Sequence, residues 1–127
     1  MSAYCYRFNA IPTGSSWPNQ VAHFQEVAFV FNNIDGLGYA VDPFQNKSQS
    51  YTDLSDLMSK SWASFVNDLD PNSWSGRQAN VTAWPQYDVS CPQNMVWDAN
   101  VTSHAEPDTF REEGIALLNA NQAAFLR

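Results

Sequence analysis

The sequence has little glycine, cysteine or positive charge, and each shortage excludes a class of function. Its five glycines form neither a G-x-S-x-G nucleophile turn nor a G-x-G-x-x-G phosphate loop, so this chain carries neither signature. Two cysteines, Cys5 and Cys91, do not define a disulfide framework. The net charge of -7 argues against nucleic acid as a partner, because binding a phosphate backbone needs a basic face.

Long hydrophobic runs are also missing. No window approaches the roughly 18 consecutive apolar residues of a membrane-spanning helix, so we expect no transmembrane segment. The first residues, Met1 to Tyr4, lead directly into a strand pattern, without the basic and apolar regions of a signal peptide. Yet 44% of the 127 residues are hydrophobic and 14% are aromatic, which is typical of a folded chain of one-domain length.

A strand and a long helix are the clearest predicted elements. Between Ala3 and Phe8, aromatic residues alternate with others, and this period of two places the aromatic side chains on one face of a strand. From about Thr52 to Leu69, apolar residues recur at intervals of three and four, as in an amphipathic helix. This apolar stripe comprises Leu54, Leu57, Met58, Trp62, Phe65, Val66 and Leu69.

Capping signals predict where the helices begin and end. Ser50 and Asp53 have capping-box spacing at the start of the long helix, and Pro71 enforces its end. Thr109 and Glu112 have the same spacing before a second helix, which we expect to run towards the end of the chain.

The other segments complete the predicted order of strand, short helix, long helix, short strand, helix. The short strand lies near residues 95–97, and polar loops cover residues 42–50 and 70–87. In this order the first strand has no sheet to pair with, although its backbone groups need partners. We therefore expect its aromatic side chains, and the helix stripe, to lie against elements that this chain lacks. Residues 1–127 would then be part of a larger domain and no complete independent one.

His23 is the strongest candidate for chemistry. An imidazole within reach of a serine hydroxyl can accept its proton and later deliver that proton to a leaving alcohol. With Glu26 the histidine forms H-x-x-E, which is too little for zinc, because H-x-x-E-H needs a second histidine where Val27 stands. His104 lies in a polar stretch and is expected to be solvated.

Four segments of the chain form a recognisable series. They are Tyr4-Cys5-Tyr6-Arg7-Phe8-Asn9; Trp17-Pro18 with His23-Phe24-Gln25-Glu26-Val27-Ala28-Phe29-Val30-Phe31; the helix from Tyr51 to Phe65 closed by Asp70-Pro71-Asn72; and Trp84-Pro85-Gln86-Tyr87 with Met95-Val96-Trp97 and a last helix. In this order they resemble the C-terminal part of the type B carboxylesterase family, which also contains cholinesterases and fungal lipases. That family usually has H-G-x-E-[IL]-x-[FY]-V-F in the second segment. Phe24 stands where its glycine is common, so the backbone must manage there without glycine's freedom at positive φ.

The resemblance implies a fold and a role for His23. The fold class would be α/β, the chain being the C-terminal fragment of an α/β-hydrolase, with the histidine loop between the strand and the long helix. His23 would be the triad histidine. Triad members in this fold follow the chain order serine, acid, histidine, so the serine and the acid would lie upstream and this chain would be inactive alone. Glu26 would be either a supporting carboxylate or a solvated group, and both interpretations stay open.

The resemblance also implies partners, and two other classes of function remain. The parent enzyme would hydrolyse the ester of a small molecule or lipid with no cofactor and no metal, and this chain would need the N-terminal portion of its fold. One alternative is a binding module whose tryptophans stack on sugars, and the other is a catalytically dead relative that acts as an interaction protein. Because Trp62 falls on the helix stripe and Trp17 and Trp84 precede prolines, core and loop anchoring is favoured over stacking.

Three sequons are candidate N-glycosylation sites. They are Asn46-Lys47-Ser48, Asn80-Val81-Thr82 and Asn100-Val101-Thr102. This motif is an acceptor in surface loops of secreted proteins. The sequons therefore favour secretion of the parent protein.

Overall fold

A computed structural model describes residues 2–17 and 19–125, and Pro18 of the second matching segment lies outside them. The described chain contains three strands and four helices. They are β1 (Tyr6–Phe8), α1 (Val27–Val30), α2 (Gln49–Asp68), β2 (Gln93–Trp97), β3 (His104–Pro107), α3 (Glu112–Ala120) and α4 (Gln122–Phe125). The predicted elements are all present, with one additional strand and the last helix divided in two.

The strands form one sheet in the order β1-β2-β3. β1 pairs with β2 in parallel, with Tyr6 opposite Met95 and Phe8 opposite Trp97. The expectation that the first strand has no sheet was therefore wrong, because its partner lies far along the chain, where a local pattern does not reveal it. β3 pairs with β2 in the antiparallel sense. It escaped prediction because a polar strand at a sheet edge lacks apolar alternation.

α2 begins and ends near the predicted positions but with different caps. It begins directly after Ser48, so the capping box expected at Ser50 and Asp53 was wrong. The Ser48 hydroxyl lies 2.8 Å from the Ser50 hydroxyl. At the other end Leu69 adopts a φ of 59° and donates its N–H to the Phe65 carbonyl at 2.9 Å. This left-handed cap is a position that usually favours glycine.

The main hydrophobic core is centred on Phe29. Its ring is completely buried, and its centroid lies 5.0 Å from that of Phe8 and 4.7 Å from that of Phe44. Leu54 and Met58, two members of the predicted stripe, are buried in the same core. These two residues are thus covered by elements of this chain, contrary to the expectation that the whole stripe faces elements outside it.

A second aromatic cluster packs against the remaining aromatic side chains of the first strand and leaves Tyr6 40% exposed. The Tyr4 ring lies edge-on to Phe65 at a centroid distance of 5.7 Å, and Tyr6 lies edge-on to Trp62 at 5.0 Å. The buried Trp84 packs between them, 5.9 Å from Tyr4 and 5.8 Å from Tyr6. Edge-to-face pairs contribute about 0.5–1.5 kcal/mol beyond the area they bury. The strand's aromatic face therefore packs in part on this chain's own long helix.

β1 nevertheless has an open edge. The Cys5 carbonyl and the Asn9 N–H bond to β2, so Tyr6 and Phe8 direct their backbone groups to the opposite side, as a parallel ladder requires. β1 is the outermost strand of the sheet on that side. Unpaired backbone groups at such an edge favour pairing with another strand.

α3 is the least packed helix. It follows Arg111, which has a φ of 57°, and the capping box expected at Thr109 and Glu112 was wrong. Every residue of this helix is exposed, including Leu117 and Leu118, at 66% and 56%. None of the helices in the described ranges combines the length and hydropathy that crossing a bilayer would need.

We expect the isolated chain to bind a hydrophobic dye and to self-associate, because the β1 edge and the apolar residues of α3 are uncovered. Leu118→Lys should reduce dye fluorescence, since it places a charge within the apolar surface. Asn119→Lys adds the same charge at the neighbouring exposed position and should leave the signal unchanged. Dye titration and sedimentation over a range of concentrations provide the measurement. A monodisperse monomer that binds no dye would contradict this prediction.

Candidate active site

His23 lies in a tight turn formed by residues 22–25. The N–H of Gln25 bonds to the carbonyl of Ala22 at 3.4 Å, which places His23 and Phe24 at the two central positions. Phe24 has a φ of 76°, the sign that a type II turn requires at its third residue. Glycine is the usual residue there, since a left-handed backbone costs other residues about 1–2 kcal/mol. Phe24, which stands where the resembling family commonly has glycine, thus adopts a strained backbone conformation, and the turn still forms.

His23 is exposed and lines an open cleft of about 390 Å³. The walls come from residues 12–17, from the turn itself and from residues 39–43, with Asp42 excepted. Gly14, at a φ of 78°, lets two walls meet, because a Cβ on it would lie 2.9 Å from Cβ of Val41. The histidine thus stands at the edge of a space that is large enough for part of a small ligand.

α1 connects the histidine turn to the core. Ala28 and Phe29 of this short helix are buried. At its C-terminal end, the hydroxyl of the buried Ser55 on α2 lies 3.2 Å from the Phe29 carbonyl and 3.0 Å from Oδ1 of Asn32. A four-residue helix is far too short to be stable by itself, so these contacts hold the turn in place.

Glu26 and His23 are not brought together. The ion pairs among the described residues join Arg7 to Glu106 and Lys60 to Asp56, and neither includes the histidine. Glu26 is half-buried. Burial raises the pKa of the Tyr6 phenol, and the negative charge of Glu26 raises it further. A supporting role of Glu26 beside His23 stays a prediction.

The other candidate residues lie away from the cleft. His104 begins β3, is exposed, and has its Nδ1 3.0 Å from the Thr102 carbonyl. The three sequon asparagines are also exposed and lie in turns or bends. They are Asn46, Asn80 and Asn100.

Sequence reasoning missed the wall of the cleft that faces the histidine turn. Trp17, Tyr39 and Val41 line it, and the Trp17 side chain is 60% exposed. No periodic pattern marks such loop residues.

A family profile matches most of the chain. The carboxylesterase family matches residues 1–113, which contain the histidine turn, the long helix and all three strands. The chain belongs to the carboxylesterase family.

Two curated carboxylesterase relatives support this assignment. Acetylcholinesterase-1 of Trittame loki is 33% identical over 98 residues, which are 75% of this chain and 16% of that protein. Para-nitrobenzyl esterase of Bacillus subtilis (strain 168) is 23% identical over 110 residues, which are 87% of this chain and 21% of that protein. The chain thus spans about a fifth or less of the length of the relatives it matches.

Solved carboxylesterase structures show the α/β-hydrolase fold. Carboxylesterase EST55 of Geobacillus stearothermophilus superimposes with a TM-score of 0.67 and 29% identity, covering 91% of this chain and 22% of that one. A PNB esterase structure superimposes with a TM-score of 0.60 at 22% identity, covering 88% and 21%, and supports the fold alone. The fold class predicted from the sequence is confirmed.

Phe24→Gly should be more stable than Phe24→Ala by about 1 kcal/mol. Both variants remove the ring, but only glycine relieves the left-handed backbone, which costs alanine roughly 1–2 kcal/mol and outweighs the extra chain entropy of glycine. The free energies of unfolding can be compared by urea titration of tryptophan fluorescence at low protein concentration. Equal stabilities, or a more stable alanine variant, would show that the turn is unstrained.

Proposed function

We propose that this chain is the histidine-bearing C-terminal segment of a serine esterase that hydrolyses carboxylic esters. The observation that supports this most directly is the position of His23. It is exposed at a cleft, in a tight turn that buried contacts hold. The serine nucleophile and the triad acid would come from the rest of the α/β-hydrolase domain.

In the proposed mechanism, His23 acts as general base and then as general acid. It first accepts the proton of the serine hydroxyl as the oxygen attacks the ester carbonyl, and it then protonates the leaving alcohol. Water next attacks the acyl-enzyme. His23 accepts a proton from this water and then protonates the serine oxygen as the acid is released. No metal or cofactor takes part in this scheme. The class of ester substrate, whether small-molecule or lipid, depends on pocket residues contributed by the remainder of the domain.

The test places this chain in a complete esterase. The segment of EST55 that matches this chain is replaced by residues 1–127, and hydrolysis of a short-chain nitrophenyl ester is measured. His23→Gln should lower kcat by about 10³-fold or more, as loss of a triad member does. His104→Gln, at the exposed start of β3, is the matched control and should have little effect.

The isolated chain provides the baseline for this experiment. Without a nucleophile it should hydrolyse the ester no faster than free histidine at the same concentration. Small and equal effects of the two substitutions in the complete enzyme would contradict the role of His23. Turnover by the isolated chain that disappears in His23→Ala would instead contradict the expectation that this chain is inactive without the rest of its domain.

The two alternative functions receive less support. A sugar-binding module needs exposed aromatic platforms, whereas Trp84 and Trp97 are buried in the core. Trp62 packs 4.7 Å from Trp84 between ring centroids. A catalytically dead relative would show the same fold and the same histidine turn, and only the residue at the serine position of the parent protein distinguishes it.

We also propose that the parent protein is secreted and carries N-linked glycans at Asn46, Asn80 and Asn100. Among the described residues, none of these three side chains makes a hydrogen bond, while seven of the nine other asparagines do. The seven are Asn9, Asn32, Asn33, Asn67, Asn72, Asn94 and Asn121. The sequon amides are therefore free to carry a glycan without loss of an internal contact.

Expression of the chain behind a cleavable secretion signal in insect cells should give a glycosylated product. Treatment with an N-glycosidase should increase its gel mobility. Each of three substitutions should increase the gel mobility of the untreated chain by the amount expected for loss of one glycan. They are Asn46→Gln, Asn80→Gln and Asn100→Gln. Asn19→Gln changes an exposed asparagine outside any sequon and should leave the pattern unaltered. Unchanged mobility of the enzyme-treated chain would refute glycosylation.

A further inference from the structure

Gln25 joins two walls of the cleft through its side chain. Its Oε1 accepts the Ala22 N–H at 3.0 Å, and its Nε2 donates to the Ser15 hydroxyl at 2.5 Å. The Ser15 hydroxyl in turn donates to the Trp17 carbonyl at 3.0 Å and accepts the Trp17 N–H at 3.1 Å. One amide group therefore connects the histidine turn to the opposite loop.

Both ends of the Gln25 amide are used, and each serves a backbone segment that lacks regular structure. Ala22 precedes the helix, so its N–H has no ladder partner. The side chain of the residue three positions later accepts it, as in one half of a capping box. The loop of residues 13–17 is likewise held by side-chain bonds. Because Gln25 is half-buried, water competes less for these bonds than at an open surface.

The turn needs this support because the backbone conformation of Phe24 destabilises it. The left-handed backbone at Phe24 favours other conformations of residues 22–25. The direct backbone bond across the turn, from Gln25 N–H to the Ala22 carbonyl, is long at 3.4 Å. The side-chain bond from Ala22 to Gln25, at 3.0 Å, is the shorter of the two bonds that close the turn.

We propose that Gln25 is a positioning residue of the esterase site: it fixes the His23 turn against the Ser15–Trp17 loop and so sets the place of the imidazole in the cleft. This inference rests on the proposed role of His23. It predicts two separable effects, one on the loops of the chain itself and one on catalysis by the complete enzyme.

The first test measures amide hydrogen exchange in the isolated chain by NMR, in a dilute solution in which sedimentation shows a monomer. Gln25→Ala should accelerate exchange at Ala22 by about five- to tenfold, because this amide loses its side-chain acceptor. It should also accelerate exchange at Trp17, to a smaller extent, because Ser15, which accepts the Trp17 N–H, loses its bond to Gln25. Ser15→Ala should accelerate Trp17 alone. Gln25→Glu keeps an acceptor for Ala22 and should preserve slow exchange there. Gln20→Ala, the same change at an exposed glutamine nearby, should alter neither amide.

The second test measures kinetics in the EST55 enzyme that carries this chain. After the active serine is counted with a phosphonate titrant, Gln25→Ala should lower kcat per active site by about 10- to 100-fold, because misplacing a catalytic group by about 1 Å has an effect of that order. KM and the pH dependence of kcat should change little, since the same base operates. Gln25→Glu should recover part of the rate.

The outcomes separate this inference from the proposed function. If His23→Gln has little effect on the enzyme, the proposed function is wrong, whatever the exchange rates show. If His23→Gln abolishes activity while Gln25→Ala leaves kcat per active serine unchanged, the positioning role is wrong by itself. Exchange at Ala22 and Trp17 that is unaffected by Gln25→Ala would also overturn it.

Discussion

Burial of the Phe29 ring is the interaction on which the rest of this structure depends. Phe29 lies on α1, the Phe8 ring comes from β1, and the Tyr51 ring on α2 lies 6.2 Å away between centroids. α1 has only four residues and has no stability of its own. Its place, and with it the place of the preceding histidine turn, is therefore set by how tightly this ring is enclosed. Packing in the core thus decides the geometry of the cleft.

The position of the histidine also follows from the direction of β1. The connection that holds His23 leaves from the carboxyl end of this strand, and β1 and β2 are parallel. In open α/β sheets, ligand sites lie beyond the carboxyl ends of parallel strands. The open outer edge of β1 and the exposed cleft support the proposal that further parts of a carboxylesterase domain complete the sheet and the site.

Local strain and local support coexist in the His23 turn. Phe24 takes a backbone conformation suited to glycine, with a φ of 76°, and Gln25 closes the same turn with its side chain. Strained backbone persists only where surrounding contacts determine it, and it is concentrated at functional sites. The buried Phe29 on one side and the Gln25 amide on the other provide such contacts.

The sequence by itself determined α2 and the aromatic face of the first strand, and it marked His23 as the candidate catalytic residue. The reason is that helix and strand periods, and a motif of fixed spacing, are local properties of the chain. Only the tertiary structure decided that β1 pairs with β2, that β3 exists, and that Gln25 reaches Ser15, because these contacts join residues whose neighbours in sequence carry no signal of the partner. The helix caps were decided in the same way. Ser48 and Arg111 precede α2 and α3, and neither side chain makes a capping hydrogen bond.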